Sequence, residues 1–216
     1  MNTLMKFVLA MSLLALTAIS ITAQDERNKF EVYGGYSYLS MDSGLDELEA
    51  DLSGLNTQFG LHGFEFAVTG NFHRYVGVKG DFSYNVRTQT FADTVDTLQL
   101  KPRVSQFLGG VQFKDNSKDA GRVKPFAHVM AGVANQRIGA TGNIGGIPFN
   151  EAGTSNNFAM VFGGGIDIRA GDRVDIRAIQ FDYNPVFYKD VDLGTSYRIE
   201  SFTQNNWRIG VGVVIH

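Results

Sequence analysis

Apolar and polar residues alternate along several stretches of this chain. In the segment VGVKGDFSYNV (76–86), valine and aromatic residues occupy even positions, whereas Lys79, Asp81 and Asn85 lie at odd positions. The same period of two recurs in FAMVFGGGIDIR (158–169) and in NNWRIGVGVVIH (205–216). Because successive side chains of a β-strand point to opposite faces, each segment predicts a strand with one apolar and one polar face.

Five further segments bring the predicted strands to eight. The segments 28–39, 61–71 and 122–134 keep a single phase, whereas 98–113 and 174–183 each break it once. A β-bulge, which inserts one extra residue into a strand, would restore the phase of each broken segment. A wrongly placed boundary would account for the same break.

The connections between these segments are long and short in strict alternation. In an antiparallel meander, this order places every long loop at one end and every short turn at the other. Outer-membrane barrels show this asymmetry together with an even number of strands. The predicted fold class is therefore all-β: one domain over residues 24–216 that forms an eight-stranded antiparallel up-and-down transmembrane β-barrel. The long connections are 40–60, 87–97, 135–157 and 184–204, and the short ones are 72–75, 114–121 and 170–173.

Alternation alone does not say which face points inward, because a soluble lipocalin-type barrel and a membrane barrel use opposite arrangements. The polar face carries many glycines and a balanced set of charges, and the apolar face carries most of the bulk. An eight-stranded lumen is only just wide enough for side chains, so small residues and a few paired charges suit it better than bulky rings. The residues predicted to form a structural polar network in the lumen are Glu31, Glu65, Lys79, Asp81, Lys124, His128, Asp167, Arg169, Arg177 and Arg208.

The N-terminus has the layout of a secretory signal peptide. Lys6 precedes an apolar run from Phe7 to Ile21, and Ala23 stands before an acidic stretch. This apolar run is shorter than the roughly 20 residues that a membrane-spanning helix needs. We therefore expect residues 1–23 to be a signal peptide that is cleaved after Ala23.

The composition excludes several classes of protein. The 216 residues include 25 Gly, 17 Phe, 8 Tyr and no Cys, and the formal net charge is −3. Without cysteine there is no disulfide framework and no thiolate metal site. A net charge near zero also argues against nucleic acid as a partner.

The sequence contains little that predicts catalysis. The four histidines show no metal-ligand spacing, so we expect no catalytic residue, no bound metal and no cofactor. Some outer-membrane enzymes of this size act on acyl chains with a Ser/His pair, and His62 with Ser40 or Ser43 is the candidate pair here. The loop 40–60 is rich in Asp and Glu, which leaves divalent-cation or partner binding as the alternative to a solvated surface loop.

Six runs with a glycine–aromatic pattern also resemble a known family. They include FEVYGGYSYL (30–39), AMVFGGGIDI (159–168) and NNWRIGVGVVIH (205–216). These runs are similar to the OmpA-like eight-stranded outer-membrane β-barrel domain. The resemblance covers the barrel only, without the peptidoglycan-binding domain that follows it in full-length OmpA proteins. It implies insertion into the outer membrane by the barrel assembly machinery. The family's last strand usually ends in an aromatic residue, whereas this chain ends in His216.

The expected function is structural, with contacts made at the cell surface. We expect an outer-membrane barrel, surrounded by outer-membrane lipid, that meets any extracellular partner through loops 40–60, 135–157 and 184–204. A narrow channel for small solutes and, less favoured, a lipid-modifying enzyme are the alternatives. A soluble exported barrel with a ligand at its centre is a third.

Overall fold

The structure is a computed structural model, and it describes residues 27–42, 58–92, 97–144, 147–189, 191–192, 198–199 and 201–216. The predicted signal peptide, residues 1–23, and most of the acidic loop 40–60 lie outside the described residues. All regular secondary structure within these ranges is β-strand. The described part of the chain contains no helix that is long and apolar enough to cross a membrane.

Eight long strands and three short ones follow one another along the described chain. Every segment that was predicted to be a strand overlaps one of the long strands. The strands are β1 (Phe30–Asp42), β2 (Gln58–His73), β3 (Val76–Val86), β4 (Gln89–Ala92), β5 (Thr97–Lys114), β6 (Val123–Ile144), β7 (Ile147–Arg169), β8 (Val174–Phe187), β9 (Val191–Asp192), β10 (Arg198–Ile199) and β11 (Thr203–Ile215).

The long strands form a closed antiparallel ring. Each long strand pairs with the next along the chain, and β3 pairs with β5 in a register that sets Phe82 opposite Phe107. The last strand, β11, pairs with β1 and sets Val211 opposite Tyr36. Closure leaves no unpaired edge on the ring, which is what a hydrocarbon environment demands of a sheet. The predicted eight-stranded barrel is therefore confirmed.

The two faces of the ring have opposite polarity. Arg208 and Asp182 point inward and are completely buried, whereas Phe64 and Phe113 point outward and are each 50% exposed. Water-soluble domains bury their apolar side chains instead. We call the outward-facing apolar side chains of the long strands the apolar belt. They include Phe30, Phe64, Phe66, Val78, Phe107, Phe113, Val129, Val133, Phe158, Phe162, Ile176, Phe181, Trp207, Ile209 and Val213.

The two predicted phase breaks have different causes. Gly210 pairs with Gln180 and Gly212 pairs with Arg177, so two residues of β8 oppose a single residue of β11. This β-bulge restores the alternation of apolar and polar residues along β8. It is the first of the two explanations offered for the break in segment 174–183. In contrast, β5 pairs with β6 from Thr97 to Lys114 without any shift, so its phase break is no bulge. Its first residues extend the strand beyond the apolar belt, where the alternation of apolar and polar residues is not imposed by lipid.

The prediction of a long loop at 135–157 is wrong. β6 and β7 stay paired up to Ile144 and Ile147, so most of this range is a β-hairpin that continues the sheet beyond the apolar belt. The predicted loop 87–97 likewise contains β4, which pairs with β5. The predicted loop 184–204 is shortened by β8 and β11 and contains β9 and β10. Strand residues continue past the belt because neighbouring strands keep satisfying their backbone hydrogen bonds.

Candidate functional site

The lumen is filled by polar side chains that come from alternate positions of the long strands. Because every second residue points inward, a strand with polar residues at these positions delivers them all to the lumen. They form two groups of ion pairs. The central cluster contains Glu65, Lys79, Asp81, His128, Asp182 and Arg208, and the turn-end cluster contains Glu31, Lys114, Lys124, Asp167, Asp175, Arg177 and His216.

Arg208 holds the central cluster together. Its guanidinium lies 2.8 Å from Asp182 Oδ2 and 3.1 Å from Asp81 Oδ1. Lys79 Nζ lies 3.8 Å from both Glu65 Oε1 and Asp81 Oδ2, which places a second cation among the three carboxylates. The His128 ring contacts Asp182 Oδ1 through Nε2 at 2.8 Å. The central cluster thus joins β2, β3, β6, β8 and β11 across the lumen.

The turn-end cluster lies nearer to the short turns. Lys114 Nζ bridges Glu31 Oε2 at 2.8 Å and Asp167 Oδ2 at 3.0 Å. Arg177 binds the same Asp167 carboxylate with two nitrogens, Nε at 2.8 Å and Nη2 at 3.1 Å. This two-pronged geometry is the strong form of an arginine–carboxylate pair. Asp175 accepts a hydrogen bond from Lys124 Nζ at 2.7 Å.

His216 also belongs to the turn-end cluster. Its Nε2 lies 2.8 Å from Asp175 Oδ2 and its Nδ1 lies 3.6 Å from Glu31 Oε1. Its backbone N–H donates to the carbonyl of Arg173. The residue that departs from the family's aromatic ending is therefore a member of the polar network.

Arg177 and Gln180 connect the two clusters. Arg177 Nη1 donates to Gln180 Oε1 at 2.8 Å, and Gln180 Nε2 donates to Asp182 Oδ2 at 2.7 Å. The Arg177 guanidinium also lies over the rings of Tyr33 and Phe126, at 4.3 and 4.0 Å from the ring centroids. Cation–π contacts of this kind strengthen when they are removed from water. The polar network is therefore continuous from the turn end to the middle of the barrel.

Toward the end of the lumen that lies away from the short turns, the buried polar side chains are mostly neutral amides. Gln106 Nε2 donates to Asn184 Oδ1 at 2.8 Å, and Asn85 Nδ2 donates to the Ser37 carbonyl at 2.9 Å. Inward-facing Leu39, Leu61 and Val104 pack against one another nearby. The lumen is thus filled by charges, amides and aliphatic side chains in succession.

This arrangement stabilises and fills the barrel. Buried charges persist only when they are paired and hydrogen-bonded, and each cation of the two clusters has a carboxylate within 4 Å. Replacing one member would leave its partner charged and buried, so each pair resists separation. The middle and the turn end of the lumen are thus occupied by paired, buried side chains.

The structure brings nine of the ten predicted lumen residues into these clusters. Arg169 lies outside them and donates instead to the Lys118 carbonyl at 2.9 Å, at the rim of the barrel. The prediction omitted Lys114, which falls just beyond the predicted strand 98–113, and also Asp182. Asp182 shares the polar face once the bulge in β8 is placed, so its alternation with Phe181 and Tyr183 was the available signal.

The residues of the predicted Ser/His pair lie on the outside of the barrel. The His62 ring hydrogen-bonds to the Tyr36 hydroxyl on the outward face and packs near the Tyr38 ring. Ser40 faces the same side, and Ser43 lies outside the described residues. The described contacts of His62 are those of an aromatic cluster near the end of the apolar belt. Within the described ranges, no group of three or more His, Asp or Glu side chains is placed to hold a metal ion.

A separate ion pair ties two short turns together. Arg74 binds the Asp115 carboxylate through Nε at 3.2 Å and Nη2 at 3.1 Å. Hydrogen bonds from Arg74 and from Ser117 lower the pKa of Asp115 to about 2. The same pairing raises the pKa of Arg74. At neutral pH this pair is fully charged, so it links the β2–β3 and β5–β6 turns.

Comparison with known proteins gives one family and several similar structures. The family model described as the outer membrane protein beta-barrel domain matches residues 11–214. No curated protein matches the chain. Among solved structures, the outer membrane protease OmpT from Escherichia coli has a TM-score of 0.50 and 8% identity, and the match covers 92% of this chain and 99% of OmpT.

Two smaller barrels are also similar in structure. The attachment invasion locus protein Ail of Yersinia pestis has a TM-score of 0.47 and 14% identity over 86% of this chain and 97% of Ail. The outer membrane protein OprG from Pseudomonas aeruginosa has a TM-score of 0.46 and 10% identity over 90% of this chain and 98% of OprG. At these identities the likeness concerns the fold.

Proposed function

Because the chain belongs to the outer membrane protein β-barrel family, we propose that it is a structural barrel whose lumen is closed by paired charges and which acts through the surface that it displays outside the cell. The family places it in the outer membrane. In this proposal, residues 1–23 are the export signal and are cleaved after Ala23. The barrel assembly machinery would then insert the mature chain.

The observation that carries the proposal is the polar network across the lumen. Arg208, Asp81 and Asp182 come from β11, β3 and β8 and meet at hydrogen-bond distance with side chains that are at most 5% exposed. An ion or solute would have to break these pairs in order to pass. Opening a buried pair without a replacement partner costs about 3–5 kcal/mol, so the resting barrel is expected not to conduct.

Outside the membrane, the barrel offers a long β-hairpin as its display surface. β6 and β7 remain paired for about ten residues beyond Val133 and Phe158, the last apolar pair of the belt on these strands. A paired hairpin holds its side chains in a fixed geometry, which favours contact with a partner or a surface. An extracellular partner is expected to contact the ranges 40–60, 135–157 and 184–204, the second of which is largely the β6–β7 hairpin.

Conductance in planar lipid bilayers tests the closed lumen. We expect no current steps from the wild-type barrel and distinct steps from Lys79→Ala/Arg208→Ala, which removes both cations of the central cluster. A matched control, Lys101→Ala/Arg137→Ala, removes the same charge from the outer face and is expected to stay silent. Each variant is checked for folding by its gel mobility with and without boiling. Steady steps from the wild-type protein would overturn the proposal and support the small-solute channel.

The non-enzymatic part of the proposal needs a test of its own. Purified protein in mixed micelles is expected to release no fatty acid from phospholipid or glycolipid, and His62→Ala is expected to change nothing. Acyl hydrolysis or transfer that is lost in His62→Ala would contradict the proposal and establish the lipid-modifying alternative.

A further inference from the structure

Three basic side chains lie together on the outer face of the sheet, beyond the apolar belt. Arg103 of β5 and Arg137 of β6 are direct cross-strand partners, and Lys101 follows two residues along β5 on the same face. They border a shallow cleft of about 160 Å³ together with Gln99, Thr141 and Asn150. We call these six residues the outer basic cleft.

The register fixes the side of the sheet on which this cleft lies. Phe107 and Arg103 are separated by four residues of β5, a strand that pairs without any shift, so they share the outward face. Val133 and Arg137 share the outward face of β6 in the same way. The cleft therefore faces the surrounding lipid layer and not the lumen.

The height of the cleft above the belt suits the headgroup region of the membrane. Going outward along these strands, the apolar row that contains Phe107, Val133 and Phe158 is followed by a row with Ser105, Asn135 and Asn156. The basic row comes next. Four residues span about 13 Å along a strand, and a strand tilt of about 40° reduces this to about 10 Å in height. Long basic side chains reach several ångströms back toward the interface.

The charges of the cleft lack an internal counterpart. Within the described part of the chain, Lys101, Arg103 and Arg137 form no ion pair, while the cations of the lumen are all paired. Like charges directly opposite each other on neighbouring strands destabilise a sheet. An anion between Arg103 and Arg137 would remove this repulsion. Arginine pairs with phosphate through two parallel hydrogen bonds, and the hydroxyl and amides of the cleft can donate to further oxygens.

We propose that the outer basic cleft binds the phosphate-bearing headgroup of an outer-leaflet lipid whose acyl chains lie on the apolar belt below it. The continuity of the cleft with Phe107, Val133 and Phe158 favours a lipid over a free anion, because one ligand would cover both surfaces. The proposal goes beyond the closed lumen, since it depends only on the outward face of β5, β6 and β7.

Native mass spectrometry of the folded protein from mixed micelles tests this site. The probes are diphosphorylated lipid A, its phosphate-free form and inorganic phosphate alone. A basic residue near an anionic surface contributes about fivefold in affinity, so Arg103→Gln/Arg137→Gln is expected to weaken binding of the diphosphorylated lipid about 25-fold. Arg122→Gln/Arg173→Gln, which removes the same charge at the turn end, is the matched control and is expected to bind like the wild type.

The outcomes separate the sources of the anion. Preferential binding of the phosphorylated lipid that is lost only in the cleft variant supports the proposal. Equal binding of the phosphate-free lipid, equal losses in both variants, or inorganic phosphate bound as tightly as the lipid would overturn it. If the double variant does not fold, Lys101→Gln provides the same test with an expected loss of about fivefold. Conductance does not enter this readout, so failure here leaves the closed lumen untouched.

Discussion

Individual charged residues inside this barrel are more deeply buried than most of its aromatic ones. Arg208 is completely buried and contacts Glu65, Asp81 and Asp182, whereas Phe72 is 59% exposed. The reason is the solvent outside, which is hydrocarbon along the belt. An Arg or Lys on the lipid face would cost about 2–4 kcal/mol at mid-depth, so the basic side chains point inward, where carboxylates pair with them.

Removing Arg208 is expected to be strongly destabilising. Arg208→Ala leaves the three carboxylates of the central cluster with Lys79 as their neighbouring cation, and breaking such a buried network costs about 3–5 kcal/mol. Guanidinium-induced unfolding of the barrel in lipid vesicles measures the change. Arg122→Ala, at an exposed turn, is the control and is expected to stay within about 0.5 kcal/mol of wild type. A similar small change for Arg208→Ala would show that the network contributes nothing to stability.

At the scale of a strand, the inward and outward faces impose different limits on side-chain size. β5 contains two adjacent glycines, and they face opposite sides. A Cβ added to Gly110 would lie 2.0 Å from the Val129 carbonyl oxygen of β6, a backbone atom that cannot move aside. A Cβ added to Gly109 would meet no atom within 4 Å. At Gly110, the lack of a side chain is therefore required by the close approach of β5 and β6.

This pair of glycines supports a matched prediction. Gly110→Ala is expected to lower the free energy of unfolding by about 1–3 kcal/mol, because overpacking must push β5 and β6 apart. Gly109→Ala is expected to be neutral or slightly stabilising, since alanine loses less conformational entropy than glycine on folding. Unfolding midpoints in the same vesicles compare the two. Equal destabilisation by both substitutions would contradict the close approach at Gly110.

For the whole molecule, the antiparallel order of the long strands places successive connections at opposite ends of the ring. The short turns at Arg74 and Tyr75, at 115–122 and at 170–173 lie at the end where β1 begins and β11 ends. The long β6–β7 hairpin lies at the other end. In outer-membrane barrels the short turns are periplasmic and the long connections are external, so we expect the same orientation here.

Site-specific labelling tests this orientation. Since the chain has no cysteine, a single introduced cysteine reports only its own position. In intact cells, a membrane-impermeant maleimide is expected to label Glu151→Cys in the hairpin almost completely and Asp119→Cys in a short turn hardly at all. Permeabilising the outer membrane should make both accessible. The opposite labelling pattern in intact cells would show that the barrel has the reverse orientation.

The sequence by itself determined that there are eight long strands and, where a single phase holds, which residues share a face. Period-two alternation is a property of each segment's own backbone, so VGVKGDFSYNV (76–86) indicates a two-faced strand without knowledge of its neighbours. The same local rule placed Lys79, Asp81 and Arg208 on the polar face. The alternation rule did not predict that residues 135–157 pair as a hairpin, because a Gly- and Asn-rich composition resembles that of a loop.

Only the tertiary structure decided which charges meet. Arg208 and Asp81 are 127 residues apart in sequence and 3.1 Å apart across the lumen. Their contact depends on the registers of β11 with β1, of β1 with β2 and of β2 with β3, none of which is visible in a single segment. Likewise, Arg103 and Arg137 lie side by side only because of the β5–β6 register. Local periodicity decides the face, whereas long-range register decides the partner.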